Sequence, residues 1–257
     1  ASAVTIPPPS KVYKYGQLFN DQLLKGFAAY LYQISKGTKI QTDNFTAFFN
    51  DIEVHEQLSK ETPRAPMLKE NWLPDLQVLT LRQNEGKVKG LFFAGQGGHN
   101  AESHNHNDIG NFVLYLDGKP AIIDVGVGTY TKQTFSSERY KLWYMQSQWH
   151  NCPTINGVQQ KEGRTFKAKD IAYTKTKDKV ELTMDIAEAY PAQADVKSWI
   201  RNFVFNNRKG SLLLKENYAL QSWKEPFVLN FMTPLDVKQN TPGEIILKDK
   251  ENQVIQL

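Results

Sequence analysis

Residues 179–186 run K-V-E-L-T-M-D-I, with Val180, Leu182, Met184 and Ile186 alternating with Glu181, Thr183 and Asp185. A period of two places the four apolar side chains on one face of a β-strand and the polar ones on the other. Trp199, Phe203 and Phe205 share one parity around Arg201 in the same way. From about Leu76 onward this alternation dominates, and turn-forming clusters recur between the runs at Asn84–Gly86, Asp117-Gly118, Asn156-Gly157 and Asn206–Gly210. Short strands joined by hairpin turns, with no helix between them, predict an antiparallel sandwich or barrel. Val254 to Leu257 still have strand character, so the sheet is expected to be cut at the C-terminal end.

Toward the N-terminus the period changes. Pro7 to Pro9 mark residues 1–10 as an extended lead-in. A helix follows, with Asn20 as its expected N-cap, a stripe of Leu23, Leu24, Phe27, Ala28, Leu31 and Ile34, and Gly37 where the helix would end. Thr42 to Val54 predict a second helix with Phe45, Phe48, Phe49 and Ile52 as its buried face. Pro63, Pro66 and Pro74 mark the junction. The expected fold class is α+β, a helical segment over 1–75 followed by a mainly antiparallel β-sandwich over 76–257. Two helices are too few for a helical domain, so they belong to a larger helical body or pack on the strands after them.

Bulk composition narrows the function classes. At 257 residues, 40% hydrophobic and 23% charged, the chain can bury a large core. No apolar run approaches the roughly 20 residues of a membrane-spanning helix. Ala1 opens no signal segment, so the chain is expected to begin at a processed end or inside a longer protein. The net charge of +4 comes without a run of five basic residues, which argues against a nucleic-acid partner. Cys152 is the single cysteine, so no internal disulfide forms; it is expected to be a small buried side chain rather than a thiolate ligand.

The chemistry concentrates in HNHND, residues 104–108, and in QWHN, residues 148–151. Three of the five histidines fall here, and imidazoles beside a carboxylate suit a divalent metal, zinc above all. In an extended segment His104, His106 and Asp108 would share one side. A two-residue turn at Asp117-Gly118 would pair Leu116 with Lys119 and set Asp124 opposite Asn111. A straight strand would then hold His106 about 17 Å from Asp124 at ~3.4 Å per residue. The chain must therefore fold back, Gly110 being the expected place, for His106, Asp124 and His150 to converge. The competing account is a set of polar groups at a sheet edge, satisfied by hydrogen bonds. The glycines of Gly95–Gly98 lack the strand-to-helix setting of a phosphate loop, and His99 either reaches the site or is solvated on that loop. Trp143, Tyr144 and Trp149 are candidates for stacking on a ligand, with at least one expected in the core.

GGHNAESHNHNDIGNFVLYLDGKPAIIDVGVGTYT, residues 97–131, with the later QSQWHNCPTINGVQQ, resembles the heparinase II/III-type polysaccharide lyases. YKYGQLFNDQLLKGFAAYL is similar to the last helices of that family's helical toroid. The resemblance implies that His106, Asp124 and His150 hold one divalent metal that shapes the site, and that His104 faces the sugar cleft as the catalytic histidine. Tyr130, Arg139 and His99 would contact substrate. It further implies an acidic polysaccharide partner, a periplasmic or secreted location, and a catalytic tyrosine and carboxylate-neutralising asparagine in an upstream region that this chain lacks.

Such a lyase cleaves a uronate polymer by β-elimination, whether heparan-type, alginate or another. Two alternatives come from other classes. A non-catalytic carbohydrate-binding sandwich with a structural metal would carry the same residues. A zinc hydrolase of the metallo-β-lactamase type also uses His-x-His-x-Asp, but it expects a histidine after the aspartate and then a helix, whereas Ile109 and a strand follow here.

Overall fold

In the computed structural model, which describes residues 7–36, 45–249 and 254–256, Val180, Leu182, Met184 and Ile186 all lie in the core, as the period of two requires. Their strand, Lys179–Asp185, pairs antiparallel with Lys169–Lys175 on one side and Val196–Asn206 on the other. Ser211–Leu220 completes this four-stranded sheet beyond Val196–Asn206. A five-stranded antiparallel sheet, in the order Glu70–Leu73, Val78–Arg82, Leu91–Gln96, Phe112–Leu116, Lys119–Ile122, shares its core. Phe203 of the first sheet sits 5.1 Å from Phe93 and 5.2 Å from Phe112 of the second, ring to ring. Each such side chain contributes on the order of 1.5–3 kcal/mol on burial, so this shared layer holds the two sheets together.

The chain divides into two units, Ala1–Leu68 and Lys69–Leu257. The sheet unit therefore starts several residues before the expected boundary at 76. Glu70–Leu73 pairs with Val78–Arg82, so Pro74 sits in a hairpin loop inside the sheet unit, with Gln77 in the left-handed region.

The helical unit departs from expectation in detail. Helix α1 spans Pro9–Leu18, α2 spans Gln22–Ile34 and α3 spans Phe45–Lys60. Pro9 opens α1 instead of extending the lead-in, because a proline at the first helical position loses no hydrogen bond. Asp21, not Asn20, caps α2: its carboxylate accepts from the backbone N–H of Leu23 and Leu24 at 2.8 and 3.1 Å. Asn20 takes a left-handed conformation instead. The expected buried face of α3 is reversed. Val54 and Leu58 join Tyr13, Ala28 and Ala29 in the unit's core, whereas Phe45 is 79% exposed and Phe49 and Ile52 are exposed as well. Gly37, Thr42 and Leu257 lie outside the described residues. Among the described residues no helix is long and apolar enough to cross a membrane.

Candidate metal centre

HNHND is not a strand. It is a run of turns in which His104 has φ +60° and is exposed, His106 is buried, and Asp108 turns toward Gln96, whose Nε2 donates to it at 2.8 Å. The alternate-residue expectation for His104, His106 and Asp108 fails for that reason. The fold-back does occur at Gly110, which has φ +83°, and the N–H of Asn111 closes the turn on the carbonyl of Asp108 at 2.9 Å. Only glycine takes this φ freely.

The hairpin carries Asp117 and Gly118 at φ +51° and +77°, with Leu116 opposite Lys119. Its register then shifts, with Tyr115 opposite Pro120 but Leu114 opposite Ile122. Pro120 has no N–H to give the ladder, and a bulge there moves Asp124 one residue away from its expected place opposite Asn111. The side chain of Asn111 closes the gap, its Nδ2 donating to Asp124 Oδ2 at 2.6 Å.

One ligand atom each from His106, Asp124 and His150 lies within 4.8 Å of the others. His150 Nδ1 is 2.7 Å from Asp124 Oδ2, and its Nε2 is 3.1 Å from the carbonyl of Tyr144. Asp124 Oδ1 accepts from the N–H of Gly126 at 2.6 Å. His106 is 8% exposed and His150 fully buried, and His106 Nε2 is a buried nitrogen with no partner among the described residues. An orphaned buried nitrogen on a histidine clustered with a carboxylate and a second imidazole fits a divalent metal, for which these side chains are the usual ligands. The Tyr144 carbonyl fixes the Nε2–H tautomer of His150 and frees Nδ1 for ligation, the usual outer-sphere arrangement of a metal-bound imidazole.

The electrostatics favour ligation at His106 and Asp124, whereas at His150 they favour a protonated ring paired with Asp124, a proton that a metal would have to displace. Burial, with the neighbouring His150 adding to it, depresses the pKa of His106 to about 4, so the ring is neutral and its lone pair free. Burial also works against a charged His150, but the hydrogen bond to Asp124 and the nearby Asp108 outweigh it and its pKa is raised. Asp124 is held low despite burial, chiefly by His150.

The expected substrate residues fall into two groups. His104 and Tyr130 are brought together, rings parallel to within 4° at 6.0 Å and Nδ1 3.4 Å from the hydroxyl. Arg139 donates to the backbone carbonyls of Asn105 and Thr134 at 2.8 and 3.1 Å, which braces the histidine loop. His99 stands apart: its Nε2 pairs with Glu102 at 2.9 Å on the Gly97–Gly98 side. Tyr144 is buried, as expected for one of the three aromatics, while Trp143 and Trp149 remain exposed as an edge-to-face pair 5.3 Å apart. Cys152 is fully buried, and burial raises its thiol pKa strongly, which removes it as a thiolate ligand.

The family model for the heparinase II/III-like C-terminal domain matches residues 69–257. The chain belongs to the heparinase II/III-like family. Three of the solved structures it is similar to are a heparan sulfate lyase HepC from Pedobacter heparinus (16% identity, TM-score 0.65), a heparinase III with methylated lysines (14%, 0.66) and a further heparinase III (16%, 0.66). The alignments cover 96%, 96% and 95% of this chain but 33%, 32% and 34% of those chains. This heparinase II/III-like chain thus spans about a third of the length of the structures it matches. No curated protein matches it.

Around the His106, Asp124 and His150 cluster lie residues that carried no signal in the sequence. Asn151 Nδ2 reaches Asn111 Oδ1 at 3.1 Å and the carbonyls of Phe112 and Ile123 at 2.7 and 2.9 Å. Gln160 accepts from the N–H of Ile109 and donates to its carbonyl, both at 2.8 Å, standing in for a neighbouring strand. Amides scattered through loops have no periodicity to betray them. Arg201 alone had a visible sign, its position within the buried parity of Trp199, Phe203 and Phe205.

Proposed function

We propose that this chain is the sheet part of a polysaccharide lyase that cleaves a uronic-acid-containing acidic polysaccharide by β-elimination. The observation that carries this is the split between two histidines two residues apart. His106 is buried in the His-Asp-His cluster, while His104 is presented at the surface against the Tyr130 hydroxyl.

The C5 proton of a uronate is very weakly acidic because the adjacent carboxylate resists further negative charge. A lyase must neutralise that carboxylate, take the proton and protonate the leaving oxygen. His104 takes the proton or holds the carboxylate, with the Tyr130 hydroxyl orienting its ring. Arg139 holds the loop between its two backbone carbonyls, and the exposed Trp143–Trp149 pair offers aromatic faces to sugar rings. A divalent ion, zinc by its donor set, would supply a fixed positive charge that organises His106, Asp124 and His150. A polymeric acidic substrate accords with a periplasmic or secreted location.

Elimination needs base, acid and carboxylate neutraliser placed together, so this chain by itself should show little or no activity. Joined to the helical region that the family places upstream, it should generate unsaturated uronate ends, read as new ultraviolet absorbance, on at least one acidic polysaccharide. In that protein His104→Ala should lower turnover by roughly 10²-fold or more with metal content unchanged. Full activity of His104→Ala would overturn the assignment, and binding without cleavage would identify a carbohydrate-binding module instead.

A further inference from the structure

Arg201 lies at the centre of the core face of Val196–Asn206, fully buried between Trp199 and Phe203. Burying a guanidinium is unfavourable by several kcal/mol unless its charge and its donors are met, and apolar residues of similar size often do as well or better. Two sets of partners meet it here. Nε and Nη2 donate to Glu216 Oε1 on the adjacent strand at 2.8 and 2.6 Å, and the other oxygen of Glu216 accepts from Trp199 Nε1 at 2.9 Å. Nη1 reaches out of this pair to two backbone carbonyls, Gly110 at 2.7 Å and Asn151 at 2.5 Å.

Those two carbonyls define what the arginine does. Gly110 closes the loop that carries His106, and Asn151 follows His150 directly. The two segments are 41 residues apart by the numbering of these carbonyls, and no strand ladder joins them at this point. Asn151 also holds Asn111, whose other amide atom binds Asp124. One planar group, anchored by Glu216, therefore sets the separation of the segments that bear His106 and His150, and the Asn111 and Asn151 amides carry that link on to the segment of Asp124.

We infer that Arg201, oriented by Glu216, is a positioning residue for the metal centre, coupling the four-stranded sheet to the geometry of His106, Asp124 and His150. The inference rests on the metal reading of that cluster. A lysine in its place would keep one charge for Glu216 but has no rigid fork to span a carboxylate and two carbonyls together. Supporting groups of this kind typically change metal affinity 10- to 100-fold when altered.

The test is a zinc titration of the chain against a chromophoric chelator, with near-ultraviolet circular dichroism confirming the fold at each point. Arg201→Lys should weaken zinc binding by about 10-fold or more. Val180→Ala, a core truncation on the neighbouring strand, should leave zinc affinity unchanged however much it lowers Tm, which separates positioning from bulk stability. If Arg201→Lys does not fold, the unaltered chain decides: zinc should slow hydrogen exchange together at 109–111, at 150–152 and along 199–203, since coupling is reciprocal. Unchanged affinity in folded Arg201→Lys, or protection confined to the ligand loops, would overturn the inference and leave the metal reading intact. Failure of the unaltered chain to bind zinc would overturn both.

Discussion

His104 and His106 show how two residues of one type, separated by a single asparagine, come to different ends. A left-handed φ of +60° turns His104 to solvent and onto Tyr130, while the next turn drives His106 inward, where its Nε2 has no partner among the described residues. A buried unpaired nitrogen costs roughly 1–3 kcal/mol, a cost that an ion shared with Asp124 and His150 would offset. Elemental analysis of protein purified without added metal should therefore find about one equivalent per chain. His106→Ala or Asp124→Ala should lose it, His104→Ala should keep it, and undiminished metal in either of the first two would refute the ligand assignment. The two clustered histidines drew notice because histidine is rare here and the motif crowded, while Asp124 joined the expected set through the resemblance. Asn111, Asn151 and Gln160 were not legible, since an amide acquires its role only from the backbone groups the fold sets around it. Gln160→Leu leaves the N–H of Ile109 unpaired in a buried place and its carbonyl with only the weak Cys152 thiol donor at 3.5 Å, which should lower stability by about 1–3 kcal/mol, read by chemical denaturation. A stability within a few tenths of the parent would show that water replaces the amide.

At the scale of elements, two small irregularities build the site. The turn at Gly110 brings His106 back over the sheet, and the bulge before Ile122 shifts Asp124 by one place, into reach of the Asn111 amide. Gly110→Ala tests the first. An alanine at φ +83° costs roughly 1–2 kcal/mol, and its Cβ would stand 3.2 Å from both Arg201 Cδ and Ile186 Cγ2. For a unit of this size the melting temperature should fall by roughly 2–8 °C, and zinc affinity should fall with it. A melting point within 1 °C of the parent would show that the turn is not constrained as described. The strands themselves followed directly from alternation, because each sheet buries one face. The bulge left no trace beyond Pro120, and α3 was misjudged for a physical reason. Its apolar residues lie on two faces, and periodicity cannot tell which one the core of this unit takes, Val54 and Leu58 or the phenylalanines.

For the whole molecule the consequence is a link between metal and fold. The candidate ligands come from the loop after Leu91–Gln96, from the end of the hairpin strand Lys119–Ile122, and from the segment that follows the short helical turns at 133–149. Arg201 ties the first and last of these to the opposite sheet. No unfolded chain holds three such distant side chains together, so an ion bound there contributes its binding free energy to folding. At a free zinc concentration 100 times Kd the gain is about 2.7 kcal/mol. For a unit of 150–250 residues each kcal/mol moves the midpoint by about 2–4 °C, so zinc should raise Tm by roughly 5–10 °C over the chelated protein. The rise should grow with the logarithm of free zinc once the site is saturated, which distinguishes linkage to one specific site from a general salt effect. In His106→Ala the zinc-dependent shift should vanish, whatever the change in the chelated midpoint from truncating a buried ring. A midpoint insensitive to zinc in the parent, or an equal shift in His106→Ala, would mean that the cluster is held by its own hydrogen bonds and that the sandwich stands without an ion.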